Sequence, residues 1–482
     1  MNGTAARTKR EVHAICISYC RSSLNLRRKT IVADLHNFLS LTQALCKYAT
    51  GVVADENRLL FEYIEKELPL EIFRFASGDE FNGWEVPQNW RVQTAELWRD
   101  NELVFDGTAH TLGVARYSKS FEGDLTWDEL KPHLVTNSNL PDAYMFHCMW
   151  QYRPWDADWA LGIPYKIYTH LGPGRYRINL KTEYEPGEML VAHHIKPGRS
   201  DKTIILQSNT CHPHMANDGF AGTAVLIRLF QWLATQDTYY SYRLVLGPEH
   251  LGTVFYLRDH SLDEINSFVC GLFEEMPGTE GPLKATSTFL GGHVVDAAIA
   301  NAMRHHSRRF EIAPWRMGAG NDEVVWEAPG YEVPFVELTR SESIEQPFRE
   351  YHSSLDSPGL MNVDQLNEIF DVLKQTVITL EGNAVMHRKF NGLICLSNPK
   401  FDLYMERPDP TVPKNISEDS EKWGHLLDCL FRYFDGKTTI LDVATQHDLP
   451  FEALHRYLQR FEEKGLISLS FQEMPRVKVV HV

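Results

Sequence analysis

The chain has 482 residues, more than one hydrophobic core usually organises, so we expect two or three domains. Its apolar content of 43% and charged content of 23% are those of an ordinary soluble globular protein, and no apolar run is long enough to span a membrane. The net charge of -16 argues against general nucleic-acid binding, because the field of the whole molecule repels a polyanion. We therefore predict no membrane partner and no nucleic-acid partner.

The eight cysteines are scattered without regular spacing, which is not the pattern of a disulfide framework and favours a reducing cytoplasm. Residues 1–30 are rich in Arg and Lys but lack an apolar core followed by a small-residue cleavage site, so they do not resemble a secretory signal. We interpret residues 1–30 as a basic N-terminal extension and predict a cytoplasmic protein.

The first elements along the chain are helical and then β-rich. Between residues 31 and 70, apolar residues recur at helical spacing, which predicts two helices joined at Gly51. Between residues 84 and 121, short alternating runs separated by turn residues predict a small β-rich unit. The stretch TWDELKPHL then predicts a short helix with Thr126 at its N-cap and acids in its first turn.

The middle of the chain alternates between strands and helices. GRYRINLKTEY, GEMLVAHHI and KTIILQSN are typical of strands, GTAVLIRLFQWLATQ of a helix, and YRLVLGPE of another strand. This order predicts a βαβ unit with a buried parallel sheet. FVCGLFEEMPG and YEVPFVELTR add two strands, and DQLNEIFDVLKQTVITLEGNAV adds a long closing helix. The domain is therefore α/β, with its functional site expected at the carboxyl ends of the strands.

The C-terminal part is separated by the polar, proline-containing stretch MERPDPTVPKNISEDSEK. Beyond it, TTILDVATQHDLPFEALHRYLQRFEEKGLISLSF indicates a helix, a turn, a helix and a short strand, an order similar to a winged helix-turn-helix. Its second helix is mixed in charge, which disfavours phosphate contacts. We therefore predict a protein-protein module rather than a DNA-binding one.

Titratable residues cluster after four of the predicted strands. Acids and histidines are costly to gather at successive strand ends unless a cation or a reaction compensates them. One such residue alone is better interpreted as solvated. The prediction of a functional site rests on the occurrence of these residues together. An imidazole and a carboxylate at one strand end can share a zinc ion. The residues are His212, Asp218, Glu249, His250, Glu274, Glu275, Asp322, Glu323, Arg340, Tyr351, His352 and Asp356.

Other interpretations of these histidines are weaker. A Cys211–His212 nucleophile pair needs the imidazole beside the sulfur, whereas adjacent residues leaving a strand point to opposite faces. No Gly-x-Ser-x-Gly segment is present for a serine hydrolase. His193 and His194 alternate across a strand, so at most one could face a site, and His214 is a reserve ligand.

The joint pattern resembles the co-catalytic zinc aminopeptidases, whose relatives include glutaminyl cyclases. TCHPHMANDGFAG, GPEHLGT, NDE and YHSSLD are similar to a subgroup with an inserted β-rich domain and a C-terminal winged helix. GWEVPQNWRV and SKSFEGDLTWDELKPHL resemble that inserted domain, and the resemblance covers about residues 30 to 475. It implies an α/β fold with a mixed, largely parallel sheet flanked by helices. The implied divisions are a basic extension at 1–30, an α/β domain at 31–80 and 136–400, an inserted domain at 81–135, a linker at 401–422 and a winged helix at 423–482.

The resemblance also implies roles for the clustered residues. Asp218 would be the central metal ligand, with His212 and His352 as its partners, and Glu249 would be the general base. His250 stands where the two-zinc enzymes have a ligand glutamate, and Glu275 where they have a further carboxylate ligand. Whether the site holds one zinc ion or two therefore stays open.

The implied activity is zinc-dependent hydrolysis of an amide bond in a small peptide or an aminoacylated metabolite, with water activated by the metal and by a Glu base. Tyr351 or Arg340 would stabilise the oxyanion or a substrate carboxylate. Two alternatives are a degenerate metal-binding scaffold and a winged-helix regulator that senses a small ligand. We also expect self-association, through the winged helix or the inserted domain. The acids expected to hold a substrate amino group are Glu274, Asp322 and Glu323.

Overall fold

The structure is a computed structural model that describes residues 37–149, 152, 153, 155, 158–405, 418–476 and 479. The extension predicted at 1–30 and the middle of the linker predicted at 401–422 lie outside these residues. Within the described part, no helix has the length and apolar character needed to cross a membrane. The cysteines that the structure describes are free thiols.

The strands are β1 (Glu71–Ala76), β2 (Glu80–Phe81), β3 (Trp84–Glu85), β4 (Asn89–Arg99), β5 (Glu102–Asp106), β6 (Phe121–Thr126), β7 (Leu134–Val135), β8 (Leu161–Gly162), β9 (Arg175–Glu185), β10 (Glu188–Lys196), β11 (Thr203–Asn209), β12 (Ser241–Gly247), β13 (Phe268–Glu275), β14 (Leu283–Thr286), β15 (Phe310–Ala313), β16 (Phe335–Arg340), β17 (Ala384–Arg388), β18 (Asp435–Thr439) and β19 (Ile467–Phe471).

The helices are α1 (Phe38–Leu45), α2 (Asp55–Ile64), α3 (Trp127–Leu130), α4 (Tyr165–Tyr168), α5 (Ala221–Leu233), α6 (Leu251–Arg258), α7 (Leu262–Ile265), α8 (Val294–His306), α9 (Glu323–Trp326), α10 (Val363–Gly382), α11 (Glu418–Cys429), α12 (Ile440–His447) and α13 (Phe451–Glu463). As predicted, Thr126 is the N-cap of α3, and the structure adds a capping box in which Thr126 and Glu129 satisfy each other's backbone N–H groups.

The main sheet has eight strands in the order β1-β10-β12-β11-β13-β16-β14-β15. Its central strands β12, β11, β13 and β16 run parallel, while β10 is antiparallel to both β1 and β12, and β14 is antiparallel to β16. Every residue of the four central strands is buried, as expected for a parallel sheet covered on both faces. The predicted mixed, largely parallel α/β fold is confirmed.

Alternation along the strands divides the core into two layers. Ile204 and Leu206 of β11 pack with α1, α5, α8 and α10 on one face of the sheet. Ile205, between them, packs on the other face with α6 and with Trp326 of α9. Each fully buried apolar side chain of this kind stabilises the fold by about 1.5–3 kcal/mol relative to an exposed one. The two layers hold the strand ends in a fixed frame.

The inserted β-rich unit is larger than the range 81–135 that we predicted. Its sheet has the order β5-β4-β9-β6, and β9 lies about forty residues beyond that range. The run GRYRINLKTEY, which we assigned to the central domain, is this strand. It pairs antiparallel with β4 and with β6 and shares a separate apolar core with them. The range was wrong because long-range pairing, rather than local composition, assigns β9 to this sheet.

The C-terminal unit contains the predicted order of helix, turn, helix and strand, in α12, α13 and β19. The strand β17, which precedes the linker, joins β18 and β19 in a three-stranded antiparallel sheet. The buried residues of α12 and α13 are continuous with the core around α10. The assignment of this unit as a winged helix stays a prediction.

Gly219 gives a test of the local fold. Its φ of 146° is strained for any other residue, and an added Cβ would lie 2.1 Å from Cε of Met215. We expect Gly219→Ala to lower the free energy of unfolding by about 1–3 kcal/mol. In Gly172→Ala, the matched control, an added Cβ meets nothing within 4 Å, and we expect almost no change. Urea unfolding of the three proteins measures both effects, and equal stability of the two variants would contradict this account.

Candidate active site

The loop after β11 is shaped to present Asp218 at the carboxyl end of the sheet. The turn Ala216–Phe220 departs from helical geometry at Asp218, where φ is -77° and ψ is 39°, and at Gly219. The buried carboxylate of Asp356 accepts the backbone N–H groups of Asn217 and Asp218, at 2.8 and 3.1 Å. α5 therefore begins with the small residues that follow Asp218. The hydrogen bonds from Asp356 hold the backbone of Asp218 and so fix the position of its side chain.

Two imidazoles converge on one carboxylate oxygen. Nε2 of His212 lies 3.1 Å from Oδ2 of Asp218, and Nε2 of His352 lies 3.4 Å from the same oxygen. The ligand atoms of these three residues all lie within 4.8 Å of one another. His212 and Asp218 are buried, while His352 keeps 38% of its side chain exposed, which leaves the group open to solvent on one side.

The proton on His212 can be placed by its neighbours. Nδ1 lies 2.9 Å from the carbonyl oxygen of Pro213, and because a carbonyl only accepts, Nδ1 must donate. In the neutral ring, the lone pair of Nε2 would then face an oxygen of Asp218. That contact is favourable only if the imidazole carries a second proton or if a cation lies between the two atoms. A backbone partner for the outer nitrogen is the usual arrangement of a metal-ligating histidine.

The surroundings act on the two imidazoles in opposite directions. Burial lowers the pKa of His212, but the hydrogen bond and charge of Asp218 outweigh burial and raise the pKa above its usual value. Burial lowers the pKa of His352, and the opposing charge of Asp218 does not restore it. His352 is therefore a neutral ring, the form that ligates metals. Phe146 stacks on His212 with centroids 4.1 Å apart, and its backbone N–H donates to the carbonyl of His352.

Glu249 and His250 form an ion pair at the end of β12. Oε1 of Glu249 lies 3.2 Å from Nδ1 of His250. Burial raises the pKa of Glu249, but the hydrogen bond and charge of His250 outweigh burial and bring the pKa below its usual value. The carboxylate is therefore ionised. Burial lowers the pKa of His250, yet the hydrogen bond to Glu249 and the charge of Asp322 raise it to about 9. His250 thus faces Glu249 as a cation and lies outside the group around Asp218, contrary to a ligand role.

Glu275 lies behind the cluster rather than in it. Its carboxylate accepts from the side-chain amides of Asn321, at 3.0 Å, and Asn209, at 3.4 Å. Burial, followed by the charges of Asp218 and Glu249, raises its pKa well above the usual value. The ligand role predicted for Glu275 has no support in this arrangement, because the described residues whose ligand atoms converge here are His212, Asp218 and His352, without Glu275.

Four further roles predicted from the sequence, in addition to the ligand roles of His250 and Glu275, conflict with the structure. Arg340 is buried and bonded to the carbonyls of Pro277 and Gly281 and to Glu368, so it does not reach a substrate. Glu274 faces Gly222 on the opposite side of the sheet from Glu275, because adjacent strand residues alternate.

The carboxylates of Asp322 and Glu323 are fully buried and accept hydrogen bonds from backbone N–H groups. Asp322 accepts the backbone N–H of His250 at 2.6 Å and the amide of Gln207 at 2.9 Å. Glu323 accepts from Arg316 and from the backbone N–H of Asn321. Neither is available to hold a substrate amine, and we correct both assignments. Their role is to fix the loops that carry Glu249 and Glu275.

A cavity of about 340 Å³ opens onto this cluster. Glu249, His212 and His352 line it, together with Tyr152 and Arg153. Tyr351 stacks on His352 with centroids 3.9 Å apart, and burial, with the charge of Asp218, raises its pKa so that the phenol stays protonated. A wider groove of about 1090 Å³ begins on the other side of Tyr152 and includes His250, Trp84 and Tyr331.

Cys211 is buried beside the cavity. Burial first, and then the charge of Glu249, raises the pKa of its thiol well above the usual value. The thiol is therefore a poor nucleophile, in agreement with the low weight given to the Cys211–His212 pair. His214, the reserve ligand, bonds to the hydroxyl of Thr111 and stacks on His110, outside the cluster.

Sequence reasoning gave no role to Asp356 and Asn321, and it considered Phe146 only as part of the aromatic segment 146–162, which either lines the site or packs between the inserted and main domains. Asp356 stands in YHSSLD four residues after His352, so its position next to a predicted ligand was the available signal. Asn321 stands directly before Asp322 in the NDE motif. Phe146 belongs to an aromatic segment that is distant in sequence, and only the folded chain shows that it contacts His212.

A protein-family model described as "Domain of unknown function (DUF4910)" matches residues 39–383, which is most of the chain. The chain belongs to this family. A curated Clostridium acetobutylicum protein, whose name proposes a role in polysaccharide biosynthesis and gives it an aminopeptidase-like domain, is 25% identical over 425 residues, covering 87% of this chain and 93% of that protein.

Solved structures share the fold of this DUF4910 member. A crystal structure of a C. acetobutylicum protein, proposed to be a peptidase, has a TM-score of 0.73 at 23% identity and covers 93% of this chain and 100% of its own. A zinc aminopeptidase of Bacillus subtilis has a TM-score of 0.53 at 14% identity, covering 72% of this chain and 93% of that chain. The M28 peptidase precursor of Shewanella amazonensis gives 0.53 at 13% identity, over 74% and 96%. The predicted aminopeptidase-like fold is confirmed.

The role of Asp356 in holding the backbone of Asn217 and Asp218 can be tested by mutation. Asp356→Ala leaves two buried backbone N–H groups without an acceptor, so we expect the free energy of unfolding to fall by about 2–4 kcal/mol. Asp356→Asn keeps one acceptor oxygen and should lose less. Asp124→Ala, on exposed β6, is the control and should change little. Urea unfolding gives the order, and an equal loss for Ala and Asn at position 356 would contradict the two-acceptor role.

Proposed function

We propose that this protein is a zinc-dependent amide hydrolase of the aminopeptidase type. The supporting observation is the convergence of His212 and His352 on one oxygen of Asp218, beside the ionised Glu249 in an open cavity. The proton on Nδ1 of His212 directs the lone pair of Nε2 at that oxygen, and a divalent cation would turn this repulsion into attraction. The donor set of two imidazoles and one carboxylate suits zinc.

We infer one zinc ion at this site. His212, Asp218 and His352 would hold it. His250, whose side chain pairs with Glu249, and Glu275, whose oxygens accept from two amides, would support the site without ligating. Three protein ligands with one side exposed are typical of a catalytic zinc site rather than a structural one. When bound, zinc would supply Lewis acidity toward the substrate carbonyl and toward water.

The protein's own residues would move the proton. Glu249 is ionised at neutral pH, because the positive charge of His250 holds the pKa of its carboxyl below the usual range. It would take a proton from the attacking water and return it to the leaving amine. The protonated phenol of Tyr351 would donate to the oxyanion. The cavity admits a small peptide or an aminoacylated metabolite beside Glu249.

Glu249→Gln tests the general base. We expect kcat for hydrolysis of aminoacyl amides to fall by about 10²–10⁴-fold, while zinc content stays at the wild-type level. Asp218→Asn, the paired variant, should lose both activity and one zinc per chain. Activity assays and metal analysis of protein purified without chelator measure the two quantities. Comparison with N-acetylated substrates tests the aminopeptidase type, because an aminopeptidase requires the free amine.

Three results would contradict this proposal. If Glu249→Gln kept full activity, Glu249 would not be the general base. If Asp218→Asn kept the full zinc content of the wild-type protein, the proposed zinc site around Asp218 would be excluded. A wild-type protein that binds zinc at this site but hydrolyses no amide of either series would instead support the degenerate scaffold.

The pair of Glu249 and His250 predicts a shift in the pH profile. His250→Gln keeps a hydrogen-bond donor but removes the charge that lowers the pKa of Glu249, so this carboxylate becomes protonated at higher pH. We expect the acid limb of kcat/KM to move upward by about one pH unit. His214→Gln, outside the cavity, is the control and should leave the profile in place. An unchanged acid limb in His250→Gln would show that His250 does not set this pKa.

A further inference from the structure

A second cluster of metal-binding residue types lies in the C-terminal unit, far in sequence from the candidate active site. His425 and Cys429 are one helical turn apart on α11, so their side chains share a face. His447 is the last residue of α12, which packs against that face. One ligand atom from each of these residues lies within 4.8 Å of the other two. We call these three residues the thiol cluster.

The separations in the thiol cluster are close to those of a metal site. Nδ1 of His425 lies 3.5 Å from Nδ1 of His447, whereas Sγ of Cys429 lies 3.6 Å from the other ring nitrogen of His447, Nε2, so the two distances do not involve the same nitrogen. With zinc bonds of about 2.0–2.1 Å to nitrogen and 2.3 Å to sulfur, tetrahedral ligands lie about 3.3 Å apart for two nitrogens and 3.6 Å for nitrogen and sulfur. A modest rearrangement of the three side chains would therefore accommodate an ion.

Tyr433 decides which nitrogen of His447 is available. Its hydroxyl oxygen lies 2.8 Å from Nε2 of His447 and can accept the proton of that nitrogen. Nδ1 is then left with its lone pair directed toward His425. This is the same arrangement of an outer hydrogen bond and an inward lone pair that orients metal-ligating histidines in general. Binding would draw Sγ of Cys429 toward Nδ1.

Charge and access also fit a cation. Asp448, which follows His447 in the chain, is paired with Lys422 at 2.6 Å and with Arg304 at 3.3 Å, so these positive side chains are balanced outside the thiol cluster. His425 is exposed, so an ion could reach the cluster from solvent. His447 is buried, so its ring is held by the residues packed around it. Two imidazoles and one thiolate are the donors that zinc prefers over calcium or magnesium.

We propose that His425, Cys429 and His447 form a zinc site that links α11 to α12 in the C-terminal unit. The fourth position would be taken by water. This site is separate from the one around Asp218, and it does not rest on the proposed hydrolase function. An ion bound here would bridge α11, which follows the linker, and α12, which follows β18.

The sulfur ligand distinguishes the two sites experimentally. The ligands proposed around Asp218 are nitrogen and oxygen, whereas the thiol cluster contributes a thiolate. Cobalt(II) replaces zinc in such sites, and a thiolate ligand gives it an intense near-ultraviolet charge-transfer band that nitrogen and oxygen ligands do not give. The experiment is titration of the metal-free, full-length protein with cobalt(II) under anaerobic conditions, followed by back-titration with zinc.

We expect the wild-type band to reach saturation at one thiolate-bound cobalt per chain and to disappear when zinc is added. Cys429→Ser should lose the band. Cys211→Ser, beside the candidate active site, and Cys395→Ser, an exposed thiol elsewhere, should keep it. His425→Ala changes only an exposed side chain and should weaken zinc binding by at least the roughly 10–100-fold that loss of an outer hydrogen-bond partner costs, which gives a second measure should Cys429→Ser fold poorly.

Several results would overturn the proposal. They are a wild-type protein without the band, a band that persists in Cys429→Ser, and a band that vanishes in Cys395→Ser or Cys211→Ser. Unchanged zinc affinity in His425→Ala would also exclude the site as described. Asp218→Asn should keep the band, so loss of the site around Asp218 can be read separately from loss of the thiol cluster.

Discussion

The arrangement of the site depends on one buried carboxylate. Asp218 has two imidazoles at one of its oxygens, and the Pro213 carbonyl fixes the outer proton of His212. A buried carboxylate is tolerated only when positive charge or hydrogen bonds compensate it. The surrounding residues are explained by this need. Asp356 holds the backbone on which Asp218 stands, and Phe146 holds the rings that face it.

The same requirement explains why many acids near the site are not part of it. Asp322, Glu323, Glu275 and Asp356 each accept hydrogen bonds from backbone or amide N–H groups, so their oxygens orient loops rather than substrate. Glu249 differs, because its partner is a side-chain cation and about a third of its side chain remains exposed to the cavity. A carboxylate that is ionised, accessible and not hydrogen-bonded to backbone N–H groups is suited to accept a proton.

The sequence predicted most of the main sheet because its signals are local. Buried strands such as β11 and β12 are continuous apolar runs, and polar residues at their ends mark the carboxyl edge of a parallel sheet. The convergence of His212, Asp218 and His352 followed from this edge together with the family resemblance. The extent of the inserted unit did not follow, because β9 joins β4 and β6 by pairing over a long stretch of chain.

The wrong assignments of Arg340 and Glu274 have a different cause. Both stand at strand ends next to residues of the site, and residue type and position alone do not say which face a side chain takes. Alternation sends Glu274 to the face opposite Glu275, and Arg340 finds carbonyl partners on the buried side. Such outcomes depend on register between strands, which a single sequence does not contain.

His250 shows how one residue can change the chemistry of a site without changing its fold. In the two-zinc relatives a glutamate ligand stands at this position, and it would add negative charge beside Asp218 and Glu249. The imidazolium of His250 does the reverse, because it pairs with Glu249 and lowers the need for a second cation. Each carboxyl group near the cluster then has its own compensation: Glu249 from His250, Glu275 from two amides, and Asp218 from the two imidazoles together with the one ion that we propose. A single zinc is therefore consistent with the charges that the protein itself provides.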